Sequence, residues 1–109
     1  MSTPNPTEAE ALFSALADPL LADPSVTRGT MMGYPCLRKD GAFFASIERA
    51  TGHLIVKLPT ARVAELVASG LAVPFAPAGR PFREWAAIPT QDKQQWAALL
   101  QDARDFVTD

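Results

Sequence analysis

Apolar positions recur every three or four residues near both ends of this chain and every second residue through its middle. At the N-terminal end Ala9, Leu12, Phe13 and Leu16 share one helical face. Thr7-Glu8-Ala9-Glu10 before it fits a capping box, the Thr7 hydroxyl taking a first-turn N–H and Glu10 reaching back. Pro19 ends or kinks that helix, and residues 1–6, with Pro4 and Pro6, read as a frayed tail. Asp23-Pro24-Ser25 is a loop. From Thr30 to Pro59 the period falls to two. Thr30–Leu37 is a strand with Tyr34 as a β-former, Gly33 as a bulge or point of close approach, and Pro35 assigning it to an edge. Lys39-Asp40-Gly41 reverses the chain, because Asp-Gly supplies the positive φ that tight hairpins need. Ala42–Glu48 then alternates, with Phe43, Ala45 and Ile47 on one face and Ala42, Phe44, Ser46 and Glu48 on the other. After a second turn at Ala50-Thr51-Gly52, Leu54, Val56 and Leu58 oppose Ile55 and Lys57, and Pro59 closes the strand.

Helical spacing returns at Thr60–Ser69, with Val63, Leu66 and Val67 as its stripe. Gly70 stands at a left-handed cap and Leu71 is placed to pack back on Leu66. Val73-Pro74-Phe75 reads as a short edge strand, residues 76–81 as a loop, and Phe82–Pro89 as the last strand. On that strand Phe82, Glu84, Ala86 and Ile88 oppose Arg83, Trp85 and Ala87; a buried acid is costly, so Glu84 is expected near an end or paired. Thr90 or Asp92 caps a final helix whose stripe is Trp96, Leu99, Leu100, Ala103 and Val107, extended by Phe106. The order is α-βββ-α-ββ-α. Hairpin-linked strands with helices set around them predict an α+β domain, an antiparallel sheet of about five strands with flanking helices, spanning residues 1–109 as one unit.

Composition supports this and adds little. A chain of 109 residues with 48% apolar and 20% charged residues is an ordinary globular domain. No apolar run approaches the roughly 20 residues that span a bilayer, and no basic segment precedes a greasy one at the N-terminus. A single cysteine, Cys36, cannot form an internal disulfide, and a cytoplasmic location is the expectation. Charge is unevenly placed. Residues 1–27 carry four acids (Glu8, Glu10, Asp18, Asp23) and no base. Residues 28–83 carry eight bases (Arg28, Arg38, Lys39, Arg49, Lys57, Arg62, Arg80, Arg83) against three acids (Asp40, Glu48, Glu65). Residues 84–109 hold five acids (Glu84, Asp92, Asp102, Asp105, Asp109) and two bases (Lys93, Arg104). The predicted sheet region is therefore basic and its flanks acidic. Self-complementarity within one fold is preferred over a cationic face for an anionic partner, because the net charge of −2 lacks the excess that nucleic-acid binders show.

Candidate chemistry is sparse. His53 is the sole histidine and reads as an exposed turn residue; no acid or cysteine stands at a spacing that gives it a catalytic partner. Cys36, with Arg38 and Lys39 nearby, is either a thiol of lowered pKa or, more commonly for such a residue, a small buried hydrophobe. One cysteine and one histidine fall short of a metal site, and Gly79-Arg80-Pro81 lacks the glycine and lysine pattern of a phosphate loop. No cofactor is expected, and the domain reads as non-enzymatic. The most suggestive residues are Lys57, Arg80 and Arg83 with Tyr34, Phe75 and Trp85. On one surface they would clamp an anion or stack bases; on the plainer reading Lys57 and Arg83 are solvated while Trp85 and Phe75 lie under a helix. Arg80, on a loop between prolines, is the first choice for contact with a partner.

Met31-Met32-Gly33-Tyr34, Lys39-Asp40-Gly41-Ala42-Phe43-Phe44-Ala45 and Leu54-Ile55-Val56-Lys57-Leu58 in this order resemble the N-terminal domain of the TfoX/Sxy family. So do Pro74-Phe75 and Gly79-Arg80-Pro81-Phe82-Arg83-Glu84-Trp85 with Ile88-Pro89. The resemblance covers Arg28 to Val107 and rests on order and spacing. It implies a fold similar to the YjbR/MmcQ-like domain and, by extension, a regulatory role through protein contacts in transcription or competence. Two-domain members carry a further C-terminal domain for which these 109 residues have no room, so a single-domain member is expected. Three classes stay open. The first is a protein-binding module acting through a sheet edge or a patch at Arg80 and Arg83. The second is a nucleic-acid binder using the basic middle around Lys57, Arg80 and Arg83. The third is an enzyme or small-ligand protein, for which the sequence shows no set of convergent polar groups. An exposed edge at Thr30–Leu37 or Val73–Phe75 also permits a homodimer.

Overall fold

The alternating middle of the chain becomes the centre of an open antiparallel sheet, with helices laid over one of its faces. The computed structural model describes residues 6–31, 34–48, 51–75 and 83–107, excluding the side chains of residues 6, 7, 31 and 34. Among these residues the elements are α1 (Pro6–Leu20), β1 (Val26–Met31), β2 (Tyr34–Lys39), β3 (Ala42–Glu48), β4 (His53–Lys57), α2 (Thr60–Ser69), β5 (Val73–Pro74), β6 (Trp85–Ile88) and α3 (Lys93–Phe106). The sheet order is β1-β2-β3-β4-β6-β5, every neighbouring pair antiparallel. This is the expected α+β arrangement, with six strands where about five were read.

The additional strand is β1. Met31 pairs with Tyr34, so the single strand read over Thr30–Leu37 is two strands with a reversal between them. The predicted bulge at Gly33 lies outside the described residues. Pro35 therefore does not mark an edge: β2 is interior, flanked by β1 and β3. The β2–β3 ladder begins only at Cys36↔Ser46, so the missing N–H of Pro35 costs that ladder nothing. Its carbonyl accepts the Ser46 hydroxyl at 2.9 Å. The edges are β1 and, as expected, β5.

Local chemistry explains the turns and caps. Asp40 and Gly41 both have positive φ, 50° and 86°, and Lys39 pairs with Ala42, as a two-residue type I′ hairpin requires. Gly70 caps α2 at φ 84°, its N–H donating to the Val67 carbonyl. The buried residue that follows is Ala72 rather than Leu71, which stays 46% exposed. Asp92, one of the two candidate caps, opens α3 by accepting the Gln95 N–H at 3.0 Å. Pro6 belongs to α1 rather than to a tail, at a helical start where a missing N–H is not needed. The predicted capping hydroxyl of Thr7 lies outside the described side chains. The last strand is shorter than expected: Arg83 and Glu84 are turn residues, and Phe82 lies outside the described residues. Glu84 is exposed beside the start of β6, as the cost of burying an acid predicts.

The three helices bury their stripes against one face. Phe13 and Ala17 of α1, Val63 and Leu66 of α2, and Trp96, Leu99, Leu100 and Ala103 of α3 form one cluster with Leu37, Phe44, Ala45, Ile47, Leu54, Val56, Ala86 and Ile88. Each large side chain taken fully out of water here contributes about 1.5–3 kcal/mol. Trp96 is wholly buried and its indole N–H donates to the Thr90 carbonyl at 2.8 Å, so its polar atom is satisfied. On the opposite face Cys36, Ser46, Ile55 and Ala87 are in register across β2, β3, β4 and β6, buried but outside that cluster.

The alternation read for β3 breaks at one point. Leu37 pairs with Ala45 but Arg38 pairs with Phe43, leaving Phe44 as an extra residue. Phe44 consequently joins Ala45 in the core, and Phe43 moves to the opposite face beside Arg38. The expected grouping of Phe43 with Ala45 and Ile47 is thus corrected by a β-bulge.

Candidate functional site

The two-residue length of β5 leaves a largely apolar hollow beside α2. Val73 pairs with Ala87 and Pro74 with Ala86, so Trp85 stands beyond the end of β5 and pairs with no outer strand among the described residues. Trp85 is half-buried and lies against α2, in a groove of about 340 Å³ lined by Thr60, Val63, Ala64, Val67, Ala68, Pro74, Arg83 and Trp85. Ala64 and Ala68, one turn apart on α2, are small enough to leave the space open. Arg83 is exposed at the groove and forms no ion pair among the described residues. Leu71 and Val73, which lead into Pro74, are 46% and 42% exposed, the large apolar side chains left most open among those described. This setting suits apolar side chains, with one guanidinium placed for a carboxylate.

A second region lies at the end of the sheet, around Phe106 of α3. Lys57 lines one hollow with Ala42, Glu84, Phe106 and Val107, and Arg62 lines another with Leu58, Pro59, Asp102, Asp105 and Phe106. Arg62 is 3.6 Å from Asp102 in a half-exposed ion pair. Cations here stand among acids, Lys57 near Glu84 and Arg62 near Asp102 and Asp105.

Of the residues singled out from sequence, Lys57 and Trp85 are direct cross-strand partners. Their side chains nevertheless line different hollows, Trp85 turning with Arg83 towards α2 and Lys57 towards Glu84 and Phe106. Tyr34 belongs to the other end of the sheet by register, paired with Met31, and its side chain lies outside the described set. Arg80 lies outside the described residues. Phe75 follows β5 and is half-buried. His53 is not an exposed turn residue: it opens β4 opposite Glu48 and is half-buried. Burial pushes its pKa below the usual value, against the pull of the Glu48 carboxylate. Cys36 is buried, and burial raises its thiol pKa despite the charge of Arg38, so it is the small hydrophobe of the plainer reading. Among the described residues no group of three or more histidine, cysteine or acidic side chains is placed to hold a metal ion. No described helix is long and apolar enough to cross a membrane.

Sequence reasoning missed the α2 face of the groove. Val63 and Val67 belong to the core stripe as expected and also border the groove, and the available signal for that second role was the pair Ala64 and Ala68 beside them. Comparison of the chain with protein-family models, with curated proteins and with solved structures found no match to any of them.

Proposed function

We propose that this domain is a non-enzymatic binding module that takes an apolar, acid-bearing segment of a partner protein into the groove between α2 and β6. The observation that carries the reading is Trp85 lying beside the open faces of Ala64 and Ala68 with Arg83 next to it. Tryptophan and arginine are the side chains that most often dominate binding energy when set in such a pocket. Pro74 removes a donor from β5, which discourages strand addition at that edge and favours docking of side chains. The resemblance to TfoX N-terminal domains agrees with a regulatory role in transcription or competence exercised through protein contacts. A cytoplasmic setting belongs to the same proposal, supported by a buried free thiol at Cys36. The nucleic-acid reading has less support, since Lys57 opens beside Glu84 and Arg62 is held by Asp102.

Selection of a random displayed-peptide library on the domain tests this. Binders should combine apolar residues with an aspartate or glutamate, and should lose affinity for Arg83→Glu and Trp85→Ala. No enriched sequence, or binders indifferent to both substitutions, would sink the proposal. Duplex DNA binding that weakens steeply with salt while no peptide binds would replace it with the nucleic-acid reading.

A further inference from the structure

The sheet face turned away from the helices carries a guanidinium that the chain positions closely and that finds no acceptor among the described residues. Thr27, Arg38 and Phe43 lie side by side across β1, β2 and β3. The Arg38 Cζ stands 5.4 Å over the centre of the Phe43 ring. The guanidinium also rests on Gly29: a Cβ there would come within 2.7 Å of Nη2 and 2.9 Å of Nε. Among the described residues the buried Nε has no hydrogen-bond partner and Arg38 forms no ion pair. Asp40, two residues on, does not pair with it, and the buried thiol of Cys36 beside it is held neutral.

Two local devices hold this side chain in place. The bulge at Phe44 brings Phe43 to the Arg38 face, and glycine at position 29 provides the space in which the guanidinium lies. Arg38 as a whole is only half-buried, so the fork is not sealed off with its Nε, and the planar fork of arginine matches the oxygens of carboxylate and phosphate. We propose that Arg38 is the seat of an oxyanion site that takes the carboxylate or phosphate group of a small ligand, with the Thr27 hydroxyl as a neighbouring donor. The Phe43 ring and Gly29 fix the guanidinium beforehand, so little side-chain freedom is lost on binding.

The test is NMR of the arginine side-chain Nε–H groups during separate titrations with inorganic phosphate and with acetate. Sodium chloride at matched ionic strength is the control. A saturable downfield shift confined to the Arg38 Nε–H is expected with at least one oxyanion, and which one responds assigns the group. Gly29→Ala, which keeps the charge but fills the space, and Arg38→Lys should each abolish saturation at the site while their backbone spectra stay folded. For Arg38→Lys the readout is the neighbouring Thr27 and Cys36 amides. No selective shift with either anion, a shift that chloride reproduces, or an unchanged response in folded Gly29→Ala would overturn the proposal.

Discussion

Arg38 stands 5.4 Å over the Phe43 ring, a contact that exists because β3 carries one residue more than β2 opposite it. Without the bulge, Phe43 would follow Ala45 and Ile47 into the core and Arg38 would face a different neighbour. A partly exposed cation–π pair of this kind is worth about 0.5–1 kcal/mol. A double-mutant cycle of Arg38→Ala and Phe43→Ala, read by urea unfolding, should show coupling of that size. Strict additivity of the two losses would show that the contact is not formed in solution.

The two tryptophans should behave oppositely. Trp96 is fully buried in the core and hydrogen-bonded to Thr90, so Trp96→Ala should cost about 3–5 kcal/mol. Trp85 is half-buried at a groove, and Trp85→Ala should cost only about 1 kcal/mol. Chemical denaturation followed by circular dichroism separates the two. A large loss for Trp85→Ala would make that residue part of the core.

Gly70 isolates a backbone effect. Its φ of 84° is left-handed and an added Cβ would meet nothing within 4 Å, so Gly70→Ala suffers only the conformational penalty. That penalty is about 1–2 kcal/mol. Gly70→Asn should lose less, because asparagine tolerates this region. Thermal or urea melts of the pair supply the comparison, and equal losses for the two would contradict it.

His53 predicts a pH dependence. Burial holds its folded pKa below the ordinary 6.5, and the Glu48 carboxylate opposite does not fully offset this. The unfolded chain therefore takes up the proton first as the pH falls. The contribution of His53 to stability is complete above about pH 6.5 and declines on acidification through and below that point. His53→Gln should remove this part of the slope between about pH 7 and pH 5, leaving the carboxylate-driven losses at lower pH. Parallel unfolding curves for the two proteins across that range would contradict the assignment.

The fold was legible where burial imposes a period. Leu54, Val56 and Leu58 against Ile55 and Lys57 read correctly, because β4 is central and has a covered face. Stripes such as Trp96, Leu99, Leu100 and Ala103 were equally plain. What failed was structure whose cause lies in another strand. β1 buries Val26 alone among its hydrophobic side chains with a described environment, so Thr27-Arg28-Gly29-Thr30 shows no alternation to read. The bulge is set by the register against β2, and a two-one mismatch leaves no mark on the β3 sequence itself. The candidate groove was half legible. Arg83 and Trp85 were singled out, but their joining to α2 depends on β5 stopping at Pro74, a length that Val73-Pro74-Phe75 does not announce.

Fluorine NMR of the domain labelled with 5-fluorotryptophan tests the central claim most directly. It gives one resonance from Trp85 in the groove and one from Trp96 in the core, assigned with Trp85→Phe. Titration with an apolar, acid-bearing peptide selected on the domain should move the Trp85 resonance to saturation and leave Trp96 in place, with no saturation in Arg83→Glu. A peptide that binds while leaving Trp85 unmoved would contradict the account, placing the binding surface elsewhere on the fold.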